Sequence, residues 1–306
     1  MGGGATTVAI KNSVSGYNLA MEIVVQLLLN ALVAGAIYAL VALGFNLIYS
    51  TARFFDFGYG ALAAVGGYAT FLFYKLLGLD IFLSLILGVL IAGTIGFLIE
   101  RVVYRPLRAR KSSKTVLLVA SIGVLAVVQA IIAILFSSQF QTLALSNQQV
   151  IGLLGGSITQ TQVITLLAGL IIMIALAITF KYTLFGKAVR AVSDDEEVAQ
   201  IVGINSEKTI GYVFFIASAI GGLAGIAAGF DTGLQPMMGF SLLLKGVVAS
   251  IVGGVGNMYG AVLGAVLLAL IETIGVWQFS GEWKDAVAFA VLIIFLLFRP
   301  QGILSR

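Results

Sequence analysis

The chain has 306 residues, of which 60% are hydrophobic and only 10% charged, and its mean hydropathy is +1.11. Soluble domains carry about 25% charged and 45–50% apolar residues, so an ordinary soluble enzyme is excluded. It has no cysteine and no histidine, which excludes disulfides, thiolate or imidazole metal sites, cysteine nucleophiles and His-based triads. The net charge of +4 matters less than where the charges sit along a membrane chain.

Residues 1–20 open with Met-Gly-Gly-Gly and read as a leader or added segment without structure, with a surface segment as the alternative. They lack the basic start and apolar core of a signal peptide. From residue 21 onward the chain reads as one transmembrane domain, 21–306. Apolar runs long enough for spanning helices fall at about 22–49, 57–77, 81–100, 115–137, 161–180, 209–230, 240–257, 258–277 and 284–298. The fold class is therefore all-α and polytopic, with eight or nine spans. The run at 240–257 is the weakest: it holds Lys245 and ends in Gly253-Gly254-Val255-Gly256.

Lys and Arg cluster in loops at 101–114 and 181–208, and Arg299 and Arg306 flank the C-terminus. Cytoplasmic loops collect these residues, so all three regions are expected inside. The uncharged segment 138–160 is expected outside, which puts the C-terminus in the cytoplasm and the N-terminus outside. Arg53 also falls inside on this scheme, so of the seventeen cationic residues only Lys11, Lys75, Lys245 and Lys284 fall elsewhere. No G-x-x-x-x-G-K-[ST] phosphate loop is present, so ATP, if used, is held by another chain.

The cytoplasmic loop reads as a short amphipathic helix. Ser193 is a candidate N-cap, and Asp194, Asp195, Glu196 and Glu197 fall in the first turn, where the helix dipole favours anions. Val198, Ile201 and Val202 form an apolar stripe, and Gly203 is the expected stop. Glu100 reads as part of an ion cluster with Arg101 and Arg105. Glu272, Asp285 and Asp231 read as span-end residues, and Tyr38, Tyr49, Tyr59, Tyr104, Trp277 and Trp283 as an aromatic belt.

Several blocks in chain order resemble the permease family of branched-chain amino acid (Liv-type) ABC transporters. They are Gly35–Tyr49, Glu100-Arg101-x-x-Tyr104-Arg105-Pro106-Leu107-Arg108, Ala120-Ser121-Ile122-Gly123 through Gln129, Gly186–Ala191 with Gly203-Ile204-Asn205, Gly253–Ala261, and Phe298-Arg299-Pro300-Gln301-Gly302. Glu197-x-Ala199-x-x-x-Gly203 is similar to the coupling motif that docks on the ATPase. One block departs: Asp56-Phe57-Gly58-Tyr59-Gly60 stands where the family usually shows N-F-A-H-G.

The resemblance implies an importer permease fold that catalyses no bond change and binds no cofactor itself. It implies a second permease subunit, either a related chain or a second copy, two cytoplasmic ATP-binding subunits holding ATP and Mg, and an extracytoplasmic binding protein. The expected cargo is a branched-chain or other neutral amino acid. Urea, short amides, a cationic amino acid or ATP-independent transport remain alternatives. On this reading Arg190, Asp194, Asp195, Glu196, Glu197, Ala199 and Gly203 serve coupling. Asn46, Asp56, Phe57, Tyr59, Ser121, Gly123, Gly253 and Gly254 are candidates for the substrate path. The expected location is a bacterial or archaeal cytoplasmic membrane.

Overall fold

The computed structural model describes residues 4–143, 149–153, 155–299 and 301–304, with side chains from Met21 onward. Helix α1 (Gly4–Ala52) is followed by α2 (Gly58–Phe71), α3 (Ile81–Ile99), the short α4 (Arg105–Ala109) and α5 (Lys114–Phe136). A hairpin of β1 (Val150–Leu153) and β2 (Gly156–Thr159) precedes α6 (Gln160–Tyr182). Then come α7 (Leu184–Asp194), α8 (Glu196–Ile201), α9 (Ser206–Asp231), α10 (Met238–Gly253), α11 (Met258–Gln278) and α12 (Lys284–Phe298).

Each apolar run of the sequence falls on one of these helices. Hydrocarbon offers no partner for backbone N–H and C=O groups, so spanning segments must satisfy them internally. Among the described residues six helices are long and apolar enough to cross a bilayer: Met21–Ala52, Ile81–Ala109, Lys114–Phe136, Gln160–Tyr182, Ser206–Asp231 and Met258–Gln278. The Ile81–Ala109 span joins α3 to α4 through a single π-helical turn at Glu100–Tyr104. The shorter apolar helices α2, α10 and α12 complete the expected set. Residues 1–3 of the segment read as a leader lie outside the described residues, as do the side chains of 4–20; the backbone from Gly4 continues helically into α1.

Polar caps punctuate the chain. Asp80, Ser113, Asn205 and Asn257 each accept backbone N–H groups at the start of α3, α5, α9 and α11. Thr159 and Gln162 form a reciprocal capping box on α6. The hairpin in 150–159 was not legible as strand, because its strands are only four residues long and β1 (Val150–Leu153) does not alternate polar with apolar. Gly155 at φ +89° occupies its turn.

Helix α9 is the centre: 72% of its spanning window is buried, against 17% for α6. It packs on α1, α2 and α3. The α2–α9 contact is backbone on backbone, since a Cβ on Gly225 would overlap the Ala63 carbonyl and one on Gly66 would overlap Gly222. Small residues allow this closeness, and in lipid such packing replaces the hydrophobic drive of water.

The two ends of the bundle differ. At one end Arg53 donates to the Ser193 carbonyl, Arg105 pairs with Glu207, and Asn257 donates to the Leu304 carbonyl. These contacts gather the three Lys/Arg-rich regions together. At the other end Gln26 reaches Ser157, Gln141 pairs with Leu234, and Gln162 donates to Asp231. The uncharged 138–160 segment is thus segregated from the charged loops.

Candidate functional site

The coupling segment is built as two helices set at a corner. Helix α7 ends at Asp194, and Asp195 caps α8 by accepting from the N–H groups of Glu197 and Val198 at 2.9 and 3.0 Å. Asp195 is therefore the cap, and Ser193 is not: Ser193 lies inside α7, buried, with its carbonyl bound by Arg53. Asp195 wins because the chain breaks to an extended conformation at that residue.

Helix α8 stops as the sequence predicts. Gly203 stands at φ +88°, its N–H bonds to the Gln200 carbonyl, and the Ile204 N–H bonds to the Ala199 carbonyl. That pair of bonds is a Schellman closure. Ala199 faces inward at 2% exposure, whereas Val198, Ile201 and Val202 are exposed at 54, 82 and 69%. Glu197 is exposed beside them, and Glu196 is half-buried within reach of Gln200. Arg190 is half-buried in α7 and donates to the Phe180 carbonyl near the end of α6, so it fixes α7 to α6. Asp194 is exposed at the corner. The outcome is a capped, rigidly held short helix with an unpartnered apolar face.

The candidate path residues form two clusters of a different kind. Asn46, 1% exposed, accepts from the Gly256 N–H at 2.8 Å. It pins the turn after α10, where Gly253 and Gly254 also receive the C-terminal segment: the Leu304 N–H bonds to the Gly253 carbonyl at 3.0 Å and the Ile303 N–H to the Val252 carbonyl at 2.9 Å. Gly254 sits at φ +112°, and Gly253 packs against the Gly260 carbonyl.

The second cluster surrounds the α1–α2 turn. Asp56 is buried and accepts from the Tyr104 hydroxyl at 2.7 Å and from the backbone at Gly58 and Tyr59. Burial pushes its carboxyl up to about 6, against the opposing effect of those hydrogen bonds. Its side-chain partner is Tyr104. Ser121 accepts from the Phe57 N–H at 3.0 Å. Tyr59 is fully buried between Gly44 and Gly221. Gly123 lies on the open face of α5. Among the described residues, none of these lines the cavity beside α6 and α7 or the one beside α10 and α12.

The sequence passed over a third group. Tyr38 of α1, Lys245 of α10, Glu272 of α11 and Asp285 of α12 meet. Lys245 Nζ lies 3.6 Å from Glu272 Oε1, 3.2 Å from Asp285 Oδ1 and 3.3 Å from the Tyr38 hydroxyl, which donates to Glu272 Oε2 at 2.7 Å. Glu272 is 1% exposed and so is no interfacial residue. Tyr38, Tyr59 and Tyr104 are likewise core residues, whereas Trp277 and Trp283 are exposed as a belt requires. Glu100 pairs with Arg108 rather than with Arg101 or Arg105, because the π-helical turn places α4 back over it.

Residues 27–296 match the family model described as "Branched-chain amino acid transport system / permease component". The chain belongs to this permease family. It is 31% identical over 295 residues to the high-affinity branched-chain amino acid transport system permease protein LivH of Salmonella typhimurium, covering 92% of this chain and 95% of the relative. It is 32% identical, over 92% and 95%, to the permease protein BraD of Pseudomonas aeruginosa. PsaBC from Streptococcus pneumoniae, solved in complex with Fab, superposes with a TM-score of 0.51 at 17% identity over 89% of this chain and 91% of that one, a likeness of fold.

This permease is thus a multi-pass inner-membrane protein. Its helix-spanning ion cluster could have been found in sequence by one signal: ionisable residues inside apolar runs are costly and are kept for pairing or function. Lys245 within the 240–257 run was such a residue.

Proposed function

We propose that this permease is the membrane-spanning subunit of an ATP-driven importer of neutral, branched-chain amino acids, with α8 as the element that receives the ATPase stroke. The observation that carries this reading is the exposed apolar face Val198–Ile201–Val202 on a helix capped at both ends, at the end of the bundle where the Lys/Arg-rich loops gather. An apolar face outside the hydrocarbon marks a protein partner. Lys/Arg segregation makes that end cytoplasmic, so the C-terminus is inside and α1 enters from outside.

In this reading two ATP-binding subunits, which hold ATP and Mg, close and push α8. Helix α7 transmits the shift through Arg190 to α6 and through Arg53 to the α1–α2 turn. A second permease subunit completes the path, and an extracytoplasmic binding protein delivers the cargo. Only a difference in cargo affinity between the outward and inward states moves it in one direction.

The test is purification from native membranes together with neighbouring subunits. Co-purification of an ATPase whose turnover rises with loaded binding protein is expected. Changing Val198 and Ile201 together to Asp is expected to abolish that stimulation while leaving the amount of folded permease unchanged. A permease that purifies without an ATPase, or a stimulation indifferent to those changes, refutes the reading.

A further inference from the structure

At the end of the bundle opposite α8 lies a cavity of about 270 Å³. Its wall takes Tyr38 from α1, Asp231 from the end of α9, Ser241 and Lys245 from α10, and Lys284 from the start of α12. Pockets for drug-sized ligands run roughly 300–1,000 Å³, so this one suits an occupant no larger than a single amino acid.

The charges around it are unequally satisfied. Lys245 is held between Glu272 and Asp285. Lys284 and Asp231 make no salt bridge among the described residues; Asp231 receives only the neutral amide of Gln162, at 3.0 Å. The two lie within electrostatic reach of each other, yet beyond the 4.0 Å of an ion pair. A cation and an anion therefore line one cavity without an ion pair between them.

Behind the wall, Glu272 Oε1 is buried without a hydrogen bond, joined to the cavity through Tyr38 and Lys245. Its charge is met by Lys245, whose Nζ lies 3.6 Å from Oε1. Ionisable groups held inside a membrane bundle are costly, and they mark substrate and ion routes. The remaining wall, Ala34, Ile37, Met238 and Leu242, is apolar.

We infer that this cavity is a transit site for a free zwitterionic amino acid, with its ammonium at Asp231, its carboxylate at Lys284 and its aliphatic side chain against Ala34, Ile37, Met238 and Leu242. The inference rests on the importer reading and adds the place and polarity of cargo binding within this chain. The Tyr38–Lys245–Glu272–Asp285 cluster holds Lys245 and Tyr38 in place as the polar wall of the site.

The experiment uses the assembled transporter in proteoliposomes with loaded binding protein, reading radiolabelled leucine uptake and ATPase stimulation together. Lys284→Gln and Asp231→Asn are expected to lower uptake at least about tenfold, the lower end for loss of a charged hydrogen bond, while ATPase stimulation persists. Lys284→Arg, which keeps the charge, is expected to restore uptake. Ala34→Phe, which fills the cavity, is expected to stop uptake with stimulation intact. Unchanged uptake in Lys284→Gln and Ala34→Phe overturns the site, and so does uptake lost only in step with stimulation, which signals misassembly. If the unaltered transporter imports no amino acid, the importer reading fails first and the site falls with it.

Discussion

Replacing Gly254 by Ala strikes the junction where the turn after α10 meets the C-terminal segment. Gly254 stands at φ +112° and ψ +111°, a region closed to residues with a Cβ. An added Cβ would lie 2.7 Å from the Leu304 carbonyl oxygen and 3.2 Å from its carbon. Both contacts are backbone, and the segment is held there by the Ile303 and Leu304 N–H groups at 2.9 and 3.0 Å, so no side chain can swing aside. The φ strain costs about 1–3 kcal/mol, and the overpacking a further 1–3 kcal/mol.

The two parts separate in a double-mutant cycle. Ending the chain after Gln301 removes Leu304 and leaves only the strain. Unfolding titrated with SDS in mixed micelles is expected to show Gly254→Ala costing about 2–6 kcal/mol in the full chain and about 1–3 kcal/mol less in the shortened one. Equal costs in both backgrounds would refute the docking of 302–304 on the glycine turn.

Three further outcomes are expected. Lys245→Met leaves Glu272 buried and uncompensated, at a cost of about 3–5 kcal/mol, and adding Glu272→Gln recovers most of it in the same titration. Asp56→Asn tests the buried carboxyl: because burial raises its value from 3.8 to about 6, the stability tied to its protonated form is full below 3.8 and lost as pH rises through 6. The unaltered protein should therefore lose stability between about pH 4 and 6 relative to Asp56→Asn, and parallel curves for the two proteins would contradict this. Tyr59→Phe removes a fully buried hydroxyl that lacks a hydrogen bond, so stability should change by no more than about 0.5 kcal/mol and leucine uptake should hold. A large loss of uptake alone would place Tyr59 on the path.

What the sequence made legible is what local chemistry decides. Apolar runs became helices, Gly203 ended α8, and the Lys/Arg-rich loops met at one end. Asp195, rather than Ser193, became the cap because the chain's break point is set by how α7 packs through Arg53, which the local pattern does not encode. The ion cluster was harder still: Tyr38 and Glu272 are 234 positions apart, and only the packing of α1 on α11 brings them together. The resemblance marked Asn46 and Ser121 as important without saying why. The structure gives both a structural task, holding turns against neighbouring helices.

The most direct measurement is uptake of radiolabelled leucine, isoleucine and valine by proteoliposomes holding the permease, its co-purified subunits and a binding protein. Uptake that requires ATP, and that stops when Val198 and Ile201 are both changed to Asp, is the expected result. Uptake that proceeds without ATP on an imposed ion gradient would contradict the importer account.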